Sequence, residues 1–119
     1  MKYEEPPKFD NKETLKLLKS EKESDQIMGL LSIVQKSGDY NLSMKKSLEF
    51  TQSDSDWIKG CGIECFGHIA RIYDKIEINI IKEVLKGGLK SKSKLIKGKS
   101  EDAIDDITHF LKLDRNIFE

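Results

Sequence analysis

At 119 residues the chain fits one domain with a modest core and is too short for two ordinary ones. Apolar residues make up 37% and charged residues 35%, a balance that excludes a thick core and points to thin layers with much solvated surface. The 21 Lys and Arg offset the 21 Asp and Glu, so no net field marks the chain for nucleic acid, and no apolar run approaches a membrane span.

Met1-Lys2-Tyr3-Glu4-Glu5 does not read as a signal peptide, so the expected location is the cytoplasm. The only prolines are Pro6 and Pro7, and a proline-free stretch from 8 to 119 is easiest to reconcile with helices. Residues 1–11 read as a lead-in and 12–119 as a single all-helical domain. Asp10 or Asn11 is placed to cap a first short helix carrying Leu15 and Leu18. Ser24 or Asp25 is the expected cap of the second, where Ile27, Leu30, Leu31 and Val34 follow the spacing of one helical face. Gly38-Asp39 ends it through a left-handed residue.

A third helix with weaker periodicity is expected over about Leu42 to Thr51. Ser53 or Asp54 should cap a long fourth helix reaching about Ile72, with Ile58, Cys61, Gly62, Cys65, Ile69 and Ile72 inward and Phe66 and Tyr73 beside them. Trp57, Ile63 and Ala70 spread apolar character further round, as expected of an inner helix with neighbours on several sides. Gly60, Gly62 and Gly67 each cost about 1 kcal/mol of helix propensity against alanine, usually offset by close approach of another backbone.

A fifth helix is expected over Glu77 to Leu89, with Ile78, Ile81, Val84 and Leu85 inward and Gly87-Gly88 weakening its end. The alternation Ile76, Ile78, Ile80 also fits a strand, but no partner strand is evident. Residues 90–99 read as a flexible basic connection, after which Ser100 should cap a last helix with Glu101 and Asp102 in its first turn. Ala103, Ile104, Ile107, Phe110 and Leu111 form its apolar side.

About six helices with short connections give antiparallel pairs. Asp25-x-Ile27, Asp56-Trp57-Ile58 and Asp102-Ala103-Ile104 each open an apolar run, a degenerate repeat of the kind that HEAT-like α-α solenoids show. A closed helical bundle of the same helices is the alternative.

Chemistry is sparse. Cys61-x-x-x-Cys65-x-x-His68 offers three soft ligands, but no second pair completes a zinc set, and His109 is the only other histidine. The bland reading, two reduced cysteines in a helix core, is preferred. No catalytic constellation, phosphate loop or cofactor motif is present, so the chain is not expected to be an enzyme. Lys86, Lys90, Lys92, Lys94, Lys97 and Lys99 lie in a stretch without acids. With no arginine or exposed aromatic interleaved, they read as a solvated loop rather than a nucleic-acid site. Glu101, Asp102, Asp105 and Asp106 follow as an acidic ridge. The ridge either serves structure, by complementing a helix start or pairing with Arg71 near Glu64, or attracts a basic protein. Trp57 is ambiguous too: a lone tryptophan at a helix start is more often packed than presented.

Asp56-Trp57-Ile58, Gly67-His68-Ile69-Ala70-Arg71-Ile72, Glu101-Asp102-Ala103-Ile104-Asp105-Asp106-Ile107 and Phe110-Leu111 as a set resemble small bacterial HEAT-like proteins. Several of those are immunity proteins found beside polymorphic or contact-dependent growth inhibition toxins. The resemblance spans roughly residues 40–111. It implies a monomeric, cytoplasmic protein that inhibits a cognate toxin domain, often a basic nuclease, by stoichiometric binding. Charge alone selects Asp54, Asp56, Glu64, Glu101, Asp102, Asp105 and Asp106 as partner-binding residues, with no metal, cofactor, membrane or direct nucleic-acid contact. The competing reading is a HEAT-like adapter that bridges two cellular proteins.

Overall fold

The computed structural model describes residues 10–119; most of the expected lead-in, residues 1–9, lies outside them. Six helices follow in order: α1 (Asn11–Leu18), α2 (Glu23–Lys36), α3 (Tyr40–Phe50), α4 (Asp56–Tyr73), α5 (Ile78–Leu89) and α6 (Lys94–Leu111). A 3-10 turn, Arg115–Phe118, ends the chain. There is no strand among the described residues: Ile76 lies in the connection before α5 and Ile78 and Ile80 in its first turn, so the all-α expectation holds.

Polar side chains set several of the helix starts. The Asp10 carboxylate accepts from the N–H groups of Lys12 and Glu13, at 3.0 and 3.2 Å. Asp39 accepts from Leu42 N–H at 3.0 Å, which starts α3 two residues earlier than expected. α4 is capped by Ser55 rather than Ser53 or Asp54. The Ser53 hydroxyl instead accepts from Ser55 N–H, shaping the turn before the helix. α2 has no side-chain cap, and its first helical residue is Glu23. Ser24 and Asp25 lie inside the helix and do not cap it, and the Asp25 carboxylate accepts from the Ser20 hydroxyl at 2.7 Å. Gly38 takes a left-handed φ of 67° after α2, as its position suggested.

The largest departure is α6. It begins at Lys94 under a Ser93 cap, so Lys94, Lys97 and Lys99 sit on a helix instead of in a flexible connection. Lysine has good helix propensity, and Ile96, Lys99 and Ala103 continue one face through the basic stretch. Ser100 is fully buried in mid-helix, its hydroxyl donating to the Ile96 carbonyl at 2.8 Å. That back-bond satisfies the hydroxyl within its own helix and allows a serine in the core. Glu101 and Asp102 therefore lie beyond the second turn of α6, where a helix N-terminus no longer accounts for them.

α1 packs on α2, α3 on α4 and α5 on α6, while α4 lies against both α2 and α6. Among the described residues α1, α3 and α5 do not touch one another. The molecule measures 52 × 34 × 19 Å, and its shortest dimension accommodates about two helix diameters. This is the thin, two-layer arrangement that the polar composition demands. One apolar cluster runs through it from Leu30 and Val34 on α2 to Phe118.

α4 is the inner helix. Ile63, Cys65, Phe66, Ile69 and Ala70 are fully buried, whereas Ile72, expected inward, is 37% exposed. Gly62 meets α3: a Cβ there would lie 2.6 Å from the Ser47 carbonyl oxygen and 2.8 Å from Phe50 Cβ. Gly60 faces Leu95, Ile96 and Lys99, and Gly67 faces Ala103 and Asp106, so α4 and α6 run parallel at close range. Gly88, expected to weaken the end of α5, instead fits against Ser100 with no room for a side chain.

Candidate partner-binding surface

The buried arc of α4 is covered by α2, α3, α5 and α6, which leaves an outward arc carrying Trp57, Glu64, His68 and Arg71. Their separations of seven, four and three residues keep them on one side of the helix. Trp57 is 63% exposed, against the expectation for a tryptophan at a helix start, and Met28 on α2 is 59% exposed. Between α2, α4 and α6 lies a shallow groove of about 180 Å³ lined by Ile27, Trp57, Cys61, Glu64 and Lys99. Lys99 donates to the Glu64 carboxylate at 3.1 Å and so ties α6 to α4 across the groove. The sequence holds no signal for that pair, because Lys99 lies in a lysine- and serine-rich run that reads as a solvated loop.

The acidic residues singled out from sequence do not converge. Asp54 and Asp56 are exposed on either side of Ser55, beside Trp57. Glu64 is half-buried and engaged by Lys99. On α6, Glu101 and Asp102 are exposed, and neither has an ion-pair partner among the described residues. Asp106 is half-buried against Gly67, and Asp105 is bound by Arg115 from the C-terminal turn. Arg71 has no ion-pair partner among the described residues, so the expected ladder from Arg71 to Asp105 or Asp106 is replaced by the Arg115 pair. Because α4 and α6 are parallel, Asp106 is level with Gly67, about eleven residues or roughly 16 Å along the axis from Asp56. Two acidic places therefore exist, one at the start of α4 and one along the middle of α6.

Cys61 and Cys65 are free thiols on the inward side of α4. Hydrogen bonding with Cys65 draws the Cys61 thiol below its ordinary value, against burial and the Glu64 charge. The same bond, reinforced by burial, holds Cys65 well above its ordinary value. Cys61 also borders the groove, while Cys65 is fully enclosed. Iodoacetamide should therefore modify Cys61 well ahead of Cys65 in the native protein, as read by peptide mass spectrometry. Equal rates would contradict this ordering. Among the described residues no group of three metal-ligating side chains comes together. No helix of the described residues is long and apolar enough to cross a membrane.

No protein-family model matches the sequence, and no curated protein matches it either. Among solved structures, the chain is similar to one in the crystal structure of a CDI complex from Cupriavidus taiwanensis LMG 19424. The two superpose with a TM-score of 0.73 at 24% identity, covering 96% of this chain and 99% of the other. At that identity the likeness establishes a shared all-helical fold along nearly the whole of both chains.

Proposed function

We propose that this chain is an immunity protein that binds a cognate toxin domain of a contact-dependent growth inhibition system and neutralises it by stoichiometric occupancy rather than by catalysis. The observation that carries this reading is the end-to-end fold match to a chain from a CDI complex. It agrees with the resemblance drawn from residues 40–111. The surface suits the role. Asp54, Asp56, Glu101 and Asp102 are exposed and, among the described residues, without ion-pair partners, so they are available to a basic partner. Complementary charge of this kind mainly raises the association rate. The nuclease character of the toxin, a monomeric inhibitor, a cytoplasmic encounter and a HEAT-like stacking of the helix pairs belong to the same proposal.

The test is growth rescue. Cells expressing the toxin domain encoded beside this chain's gene should survive when this protein is co-expressed and die without it. The purified pair should bind one to one in calorimetry, with association slowing as salt rises. Absence of a neighbouring toxin, or no protection by this protein, would reject the reading and favour the adapter.

A further inference from the structure

We infer that the groove between α2, α4 and α6, with Trp57 at its mouth, is the anchor point for the toxin domain, and that it receives an apolar side chain flanked by a lysine or arginine of that partner. This rests on the immunity reading and specifies where contact is made. Two independent features locate it. Trp57 and Met28 are large apolar side chains left more than half exposed, while the other large apolar residues among those described are more than half covered. Next to Trp57 is a concavity bordered by Ile27 and Cys61, of a size that takes one side chain. Interface hot spots favour tryptophan set beside such a pocket, where neighbouring contacts exclude water.

Charge decides what kind of side chain flanks the anchor. Asp54 and Asp56 bracket the start of α4, both exposed and unpaired among the described residues. Lys99 is the one cation in the groove lining, and its charge is already met by Glu64 at 3.1 Å. Lys59 lies two residues beyond Trp57, about 200° round the helix and away from the mouth. The exposed carboxylates beside Trp57 are those of Asp54 and Asp56, and their complement is a basic residue next to the apolar anchor. A second copy of this protein is less suited, since it would bring the same carboxylates to the same rim.

Trp57 is the chain's single tryptophan, so protein labelled with 5-fluorotryptophan has one ¹⁹F resonance at this place. Adding the unlabelled toxin domain identified by growth rescue should move that resonance in step with binding measured by calorimetry. Trp57→Ala, confirmed folded by circular dichroism, should weaken binding about 30-fold, the size of a hot-spot truncation. Asp54→Lys with Asp56→Lys should slow association and flatten its salt dependence. Tight binding with an unmoved resonance and an unchanged Trp57→Ala affinity overturns the groove while leaving the immunity function intact. A resonance that shifts with the protein's own concentration, without toxin, assigns the groove to self-association and also overturns the proposal. No toxin binding at all overturns the function together with its anchor.

Discussion

Replacing Gly62 with alanine should lower stability by about 2 kcal/mol, measured as a fall in the urea midpoint. In an exposed helix the same change would raise it, because alanine exceeds glycine in helix propensity by about 1 kcal/mol. At Gly62 the added methyl would meet the Ser47 carbonyl oxygen at 2.6 Å and Thr51 N at 3.0 Å. These are backbone atoms of α3 and its cap, which cannot rotate aside, so α3 must shift. Overpacking of this kind costs about 1–3 kcal/mol, and the rigidity of the neighbours places it at the upper end. Gly87 supplies the control, since nothing lies within 4 Å of the site of its Cβ and the residue is exposed. Gly87→Ala should stabilise the protein by about 0.5–1 kcal/mol. Equal shifts in the two variants would mean that α3 and α4 are not as close as the structure places them.

Phe118→Ala should cost about 3 kcal/mol, although the residue is next to last in the sequence. Phe118 is only 1% exposed, and its 3-10 turn packs against α5 and α6. Truncating a buried phenylalanine removes its transfer free energy and leaves a cavity, together about 3–5 kcal/mol, with terminal segments relaxing more easily than inner ones. Against a total stability of about 5–15 kcal/mol this is a large fraction. Chemical denaturation that leaves the midpoint unmoved would show that the last turn does not close the core.

The parts of the fold legible in the sequence are those written in apolar periodicity. α2 and α4 carry dense stripes bounded by short polar turns, and their extents follow closely. The start of α6 was hidden because its first turns are built from lysine and serine, which read as solvated coil until a neighbouring helix supplies the packing. Ser100 was the misleading residue: its hydroxyl suits a cap, yet here it bonds back to Ile96 and is buried against Gly88. The 3-10 turn gave no periodic signal within four residues. At the surface, charge was visible and position was not. Glu101, Asp102, Asp105 and Asp106 are close in sequence, but Asp105 is bound by Arg115 and Asp106 rests against Gly67, while Glu101 and Asp102 have no ion-pair partner among the described residues. The groove was invisible, because Ile27, Trp57 and Lys99 come from three helices and meet only through the packing of α4 on both sides.

The glycine contacts of α4 separate what must stay from what is free to change. Gly60 and Gly67 set the distance to α6, and Gly62 sets it to α3, all on arcs turned toward other helices. Trp57, His68 and Arg71 project from the arc that no neighbouring helix covers, beside the α6 contact and away from the α3 contact, and none of the glycine contacts involves them. Substitutions there alter the outer face at little cost to the frame, since surface changes away from packed features are usually within about 0.5 kcal/mol. Such a chain can diverge quickly in what it presents to the outside while its interior drifts slowly. Two descendants of one ancestor would then keep a common backbone and lose each other's binding preferences, and sequence identity between them would decline far sooner than shape.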